Sequence, residues 1–182
     1  MTTVVVYYSG YGHTKVVAER VAEGANASLI AIDNNGDIQE SDWQQLNEAK
    51  TIIFGAPTYM GGVPWQFKKF ADATSKPWFS RAWQDKLFAG FSNSASLNGD
   101  KQVSLQYLQT LASQHGGIWI SLGMLPANTQ AATRQDLNNL GGSVGLLVQS
   151  PSDAGVEAMA SGDLDTAVKF GERIAAVSAR FN

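Results

Sequence analysis

The feature that most constrains this chain is its beginning. A β-branched and aromatic run, Val4-Val5-Val6-Tyr7-Tyr8, passes directly into Ser9-Gly10-Tyr11-Gly12-His13-Thr14 and then into a segment of helical period. An apolar run without polar alternation is what a parallel strand covered on both faces requires. Val17, Ala18, Val21 and Ala22 then recur at helical spacing, with Gly24 as the expected stop.

The same alternation continues along the chain. Ser28 to Ile32 reads as a second strand, Asp42 to Ala49 as a short helix, and Thr51 to Ala56 as a third strand. Pro64 suits a helix start, where its missing N–H costs nothing. Leu87 to Phe91 is the expected fourth strand, followed by a helix carrying Val103, Tyr107, Leu108 and Leu111 that ends at Gly116-Gly117. Ile118 to Ile120 makes a fifth strand, and Leu164, Val168, Gly171, Ile174 and Ala175 mark a closing helix. Strands separated by helices predict an α/β parallel sheet with right-handed crossovers. Residues 1–182 read as a single domain. The segment from Leu122 to Asp163 is rich in Gly, Asn, Ser and Thr, and reads as a long excursion with a short strand at Val144 to Val148. Excursions of that length are usually functional.

Three loops share one composition. Ser9 to Thr14 follows the first strand, Pro57-Thr58-Tyr59-Met60-Gly61-Gly62 the third, and Ser92-Asn93-Ser94-Ala95-Ser96-Leu97-Asn98-Gly99 the fourth. Small and hydroxyl-bearing residues let backbone amides converge at a helix start, where the dipole favours a phosphate. A Walker A loop is rejected because Thr14 precedes Lys15. A dinucleotide fingerprint would need glycine where Lys15 stands, although Asp33 lies at a suitable ribose distance. A tight turn with no ligand is the remaining alternative for the first loop alone. With strand order 2-1-3-4-5, however, all three loops meet at the topological switch point, where such sheets bind ligands. A flat ring with polar edges and a phosphate tail fits that groove.

At these residues the chain resembles flavodoxin-like FMN proteins and, among them, the WrbA-type NAD(P)H:quinone oxidoreductases. Tyr7-Tyr8-Ser9 with Tyr11-Gly12-His13 is similar to the family's phosphate loop. Phe54-Gly55-Ala56-Pro57-Thr58 is similar to its second flavin loop, and Leu111-Ala112 with His115-Gly116 to the segment before the fifth strand. The resemblance implies a three-layer flavodoxin-like fold. It implies FMN phosphate at Ser9, Gly10, Tyr11, Gly12, His13 and Thr14. It implies isoalloxazine contacts from Pro57, Thr58, Tyr59, Met60 and Gly61, and from Asn93, Ser94, Ala95, Ser96, Leu97 and Asn98. It further implies NAD(P)H as co-substrate, with Tyr11 near the nicotinamide, and His115 and Trp78 near the reactive face of the flavin. His115 is the candidate catalytic residue; a helix-end role facing carbonyl groups is its alternative.

Composition narrows the rest. The chain has no cysteine, which removes thiolate catalysis, disulfides and Cys-ligated clusters. A net charge of -3 argues against nucleic acid or an anionic membrane as partner. No carboxylate–histidine cluster has metal-ligand spacing, so no metal is expected. Asp153, Glu157, Asp163 and Asp165 read as solvated charges. The N-terminus lacks a signal-peptide pattern, and no apolar run approaches bilayer length, which predicts a cytoplasmic protein. Phe67 and Phe70 read as core, whereas Trp78, Phe79 and Trp83 form an expected exposed aromatic cluster that marks an interface or a ligand shelf. That cluster, with the modest charge, favours an enzyme passing hydride from NAD(P)H through FMN to a quinone-like acceptor, working as a homodimer or homotetramer. The alternative is a flavodoxin shuttling single electrons between proteins.

Overall fold

The computed structural model describes residues 2–181. Its strands are β1 (Thr3–Tyr8), β2 (Ser28–Ile32), β3 (Thr51–Pro57), β4 (Leu87–Ser94), β5 (Ile118–Trp119) and β6 (Leu146–Gln149). The sheet has the order β2-β1-β3-β4-β5, and every pair is parallel. This is the expected flavodoxin-like arrangement with one addition. The start of β4 pairs with β5, and its end pairs with β6, Phe91 opposite Leu146 and Ser94 opposite Gln149. One edge position of the sheet is therefore filled by two short strands in succession, with residues 120–145 looped out between them. The strand expected at Val144 to Val148 is real, shifted to Leu146–Gln149.

The helices are α1 (His13–Ala25), α2 (Glu40–Glu48), α3 (Trp65–Ala73), α4 (Ser75–Phe79), α5 (Lys101–Gln114) and α6 (Ser161–Ala179). Alternate residues of β1 feed two cores. Val5 and Tyr7 pack with Val17, Val21, Phe170 and Ile174 beneath α1 and α6. Val4, Val6 and Tyr8 pack with Leu46, Phe67, Phe70 and Leu108 beneath the helices of the opposite face. Both faces are thus covered, as the unbroken apolar run of β1 demands.

Three sequence expectations change here. Gly24 does not stop α1, which runs to Ala25 and ends on Asn26 in the left-handed conformation. Trp83 is fully buried, with its ring nitrogen donating to Asn47 Oδ1 at 2.8 Å, so the aromatic cluster is reduced to Trp78 and Phe79 on the surface. Asp163 is buried as well, because Arg134 Nη2 reaches it at 2.6 Å and the Gln149 amide at 2.9 Å.

Gly24 serves a different purpose. A Cβ there would lie 2.0 Å from the Val168 carbonyl oxygen, and one on Gly171 would lie 2.2 Å from that of Val21. The two helices meet backbone to backbone through these glycines. Gly24→Ala should therefore destabilise the protein by about 1–3 kcal/mol through overpacking, against the ~1 kcal/mol that alanine gains in an open helix. Urea unfolding measures the balance, and a raised midpoint would show that α1 and α6 separate at little cost.

Candidate functional site

The three loops named from the sequence do converge. Beyond the carboxyl ends of β1, β3 and β4 lies a cleft of about 580 Å³. Its lining includes Tyr11, His13 and Thr14 from the first loop, Pro57, Thr58 and Tyr59 from the second, and Asn93, Ser94 and Ala95 from the third. Ser9, Gly10, Gly12, Met60, Gly61, Ser96, Leu97 and Asn98 flank these residues in sequence and do not line the cleft themselves.

The first loop has the backbone geometry that an anion site needs. Gly12 is the N-cap of α1 at φ 91°, a conformation that glycine adopts freely, and it offers no side-chain cap of its own. No acidic residue occupies the first turn. Ser9 Oγ accepts the Lys15 amide at 3.1 Å, closing the loop on the helix. His13 and Thr14, which line the cleft, keep first-turn amides that meet no acceptor among the described residues, and with the helix dipole these suit a phosphate.

The second loop is a tight hairpin. Tyr59 and Gly62 exchange backbone hydrogen bonds across Met60 at φ 48° and Gly61 at φ 81°. The positive φ of both central residues fits a primed turn, and the Met60 side chain projects into solvent. Thr58 turns its hydroxyl inward, towards Ser92 Oγ at 2.8 Å and Ser104 Oγ at 2.7 Å. Its contribution to the cleft is its backbone and methyl, not its hydroxyl. Tyr59 meets Tyr11 edge to face, with ring centroids 6.1 Å apart. Burial, reinforced by Tyr8 and Tyr11, pushes the Tyr59 phenol up to about 12, so it remains neutral.

Asn93 belongs to β4 and not to the loop after it. Its Nδ2 donates to Ser150 Oγ at 2.9 Å, while its Oδ1 is buried without a protein partner. A buried acceptor in a cleft wall calls for a donor from a ligand, and a flavin ring N–H is such a donor. The open His13 and Thr14 amides at the helix start and this acceptor together fit a phosphorylated flavin.

The excursion supplies the wall that sequence reading did not assign. Ser150, Pro151, Ser152, Ala154 and Gly155 complete the cleft. His13 holds this wall, its Nε2 donating to the Ala154 carbonyl at 3.1 Å. The polarity of the excursion was visible in the sequence, but which of its residues return to the cleft depends on β6 pairing with β4. Lys101 was missed entirely. It is fully buried, and burial lowers its pKa to about 8, with Asp163 opposing that shift and Arg134 adding to it.

His115 and Trp78 are not brought to this cleft. His115 ends α5, and the neighbouring Gly116 carbonyl accepts the amide of Asp85, just before β4 begins, which places it at the opposite end of the sheet. Thr74 donates its hydroxyl to the Ala71 carbonyl at 2.6 Å, so His115 Nε2 must donate to Thr74 Oγ1 at 2.9 Å. The imidazole packs on Trp83 with centroids 4.5 Å apart, and its Nδ1 is buried without a partner. Burial pushes its pKa down to about 4, the mark of a neutral core histidine. Trp78, in α4, shares this end of the molecule and is half exposed.

A doubly covered parallel sheet with a glycine-led helix start after its first strand and a ring-sized cleft at its switch point defines a flavodoxin-like FMN protein of the WrbA type. Residues 9–134 match the family described as NADPH-dependent FMN reductase, and the chain belongs to that family. It is 67% identical over 174 residues to flavodoxin FldP of Pseudomonas aeruginosa, covering 96% of this chain and 95% of that protein. It is 28% identical over 202 residues to an NAD(P)H dehydrogenase (quinone) of Gluconacetobacter diazotrophicus, covering all of both. The crystal structure of a flavodoxin, WrbA-like protein from Agrobacterium tumefaciens superposes with a TM-score of 0.83 at 52% identity, covering 100% of this chain and 99% of that one. Among the described residues no helix is long and apolar enough to cross a membrane.

The placement of His115 has a consequence for pH dependence. Its folded pKa lies below the unfolded value, so the unfolded chain binds the extra proton first as pH falls. The stability it protects is complete above about pH 6.5 and is lost progressively down to about pH 4. Urea unfolding across that window should show a decline that flattens in His115→Phe. An identical slope in the variant would assign the loss to carboxylates instead.

Proposed function

We propose that the chain is a flavodoxin-type electron carrier whose FMN exchanges electrons with partner proteins through the open mouth of the cleft. The observation that carries this reading is the exposed apolar rim formed by the three loops. Tyr11 is 80% exposed and Leu97 61%, and Met60 is fully exposed at the hairpin tip. Such side chains form a surface that a partner can desolvate. The extensive identity to a protein named flavodoxin supports the same reading.

When bound, FMN supplies reversible redox chemistry, and the chain supplies position and electrostatics. The residues that would hold it are Ser9 to Thr14 at the phosphate, with Tyr59, Asn93 and the Ser94 to Asn98 segment around the ring. Tyr59 stays protonated at neutral pH and so offers no base to the cleft. The aromatic connection that favoured an enzyme lies at the other end of the sheet, with Trp83 inside it.

A second reading keeps NAD(P)H:quinone oxidoreduction, and the match to the NADPH-dependent FMN reductase family supports it. Beside the cleft, across the Tyr11–Tyr59 pair, lies a further cavity of about 380 Å³ lined by Val63, Pro64 and Trp65, with room for part of a second substrate. In that reading a homodimer or homotetramer would bring the exposed Trp78 and Phe79 of one copy over the cleft of another.

One set of measurements on the FMN-loaded protein separates the two. A carrier should show a large one-electron stage, seen as long-wavelength absorbance during reductive titration, and negligible NADPH oxidation with benzoquinone. Steady NADPH turnover with quinone, reduction in a single two-electron step, and more than one chain by light scattering would replace the carrier with the enzyme. Failure to take up FMN in preference to riboflavin would overturn both.

A further inference from the structure

The loop after β4 has an unusual backbone economy. Its carbonyl oxygens from Ser94 to Asn98 all turn towards the protein. Ser94 O accepts the Ser150 amide at 3.1 Å, and Ala95 O accepts Gln149 Nε2 at 2.7 Å. Ser96 O and Leu97 O both accept Lys101 Nζ, at 2.7 and 2.9 Å, and Asn98 O accepts the Lys101 amide at 3.3 Å. In a trans peptide the carbonyl and the next N–H point in opposite directions. The amides of Ala95 to Gly99 therefore face outward, and among the described residues none of them meets a protein acceptor.

Lys101 organises this loop from below. Its ammonium is inaccessible to solvent, and its third hydrogen bond goes to Ser94 Oγ at 2.9 Å. Among the described residues no carboxylate touches it. The nearby Asp163 is already bound to Arg134 and to the Gln149 amide. Lys101 and the partly exposed Arg134 share this one buried carboxylate, which leaves one positive charge in excess beneath the loop.

We propose that Lys101 is the positioning residue of the third flavin loop: by drawing the carbonyls inward it turns the loop amides outward at the mouth of the cleft, beside Ala95 in its wall, and sets a positive charge beneath them, facing the edge of a flavin ring seated there. The proposal rests on FMN occupying the cleft. Outward amides arranged in sequence form a concavity for negative charge, and that ring edge becomes more negative on reduction. Preorganised donors of this kind stabilise the reduced ring more than the oxidised one. Lys101 thus acts through the backbone and touches no reacting atom.

Lys101→Met tests it, because the methionine keeps the stem and loses the three donors. In the apoprotein, backbone 15N relaxation should show residues 95–99 ordered in the parent and mobile in the variant. FMN and riboflavin affinity should fall by the same factor, about tenfold or more, as expected for losing a hydrogen bond from a charged group. The equal loss distinguishes a grip on the ring from one on the phosphate. The midpoint potential of the bound flavin should move to a more negative value, which a purely structural lysine would not cause. A folded variant with an ordered loop, parental affinities and an unshifted potential would overturn the proposal. Should Lys101→Met fail to fold, Ser94→Ala removes one acceptor and keeps the ammonium. It should weaken both flavins equally and lower the potential by a smaller step; parental values would overturn the proposal. If the parent protein binds neither flavin, the FMN reading fails by itself, and loop order in the two apoproteins still decides whether Lys101 holds the loop.

Discussion

The hydrogen-bond ladder of β4 is the constraint on which the functional end of this protein depends. One side of the strand is bound along its length by β3, from Leu87 opposite Thr51 to Asn93 opposite Pro57. The other side is bound by β5 for two residues and by β6 for the last four. Buried backbone groups need partners throughout, so when β5 turns away after Trp119 another segment must take its place. β6 does so, and in returning it carries Ser150 to Gly155 to the cleft. The wall of the site is a consequence of completing a ladder.

Charge is handled in the same economical way. The chain uses few ionisable groups near the cleft, and those it buries are committed to backbone. Asp163 binds the amide that begins the return from β6, and Lys101 binds the carbonyls of the loop opposite. Removing either partner of such an arrangement leaves buried polar groups unsatisfied, which costs more than the hydrogen bond contributes. The cleft is therefore shaped by interactions that a ligand never touches.

The alternation of strands and helices, the two covered faces and the three small-residue loops were legible because each is written in local pattern: unbroken apolar runs, helical spacing, and small polar residues at strand ends; the strand order goes with the family resemblance. Lys101, Asp163, His115 and Trp83 were not legible, since their roles depend on what lies across from them in space. Residue type argues for exposure of a lysine or an aspartate, and only Ser94, Ser96 and Leu97 on one side, or Arg134 on the other, reverse it. His115 adjoins a helix end and a strand start, and direction along the sheet decides which end of the molecule that is. The exposed aromatic connection was half correct, because Asn47 satisfies the indole of Trp83 and lets it enter the core.

The interrupted edge position has a kinetic meaning as well. β5 follows α5 closely in the chain, but β6 pairs with β4 only after residues 120–145 have closed into a loop, and closure entropy delays such contacts. The cleft wall at Ser150 to Gly155 thus forms after the β4–β5 pair on the same edge. A cofactor that binds only the closed form draws this segment into the same cooperative unit as the sheet, and raises its local protection by mass action. Hydrogen exchange in the return strand would then record occupancy of the cleft, making the edge of the sheet a sensor of whether the chain is loaded.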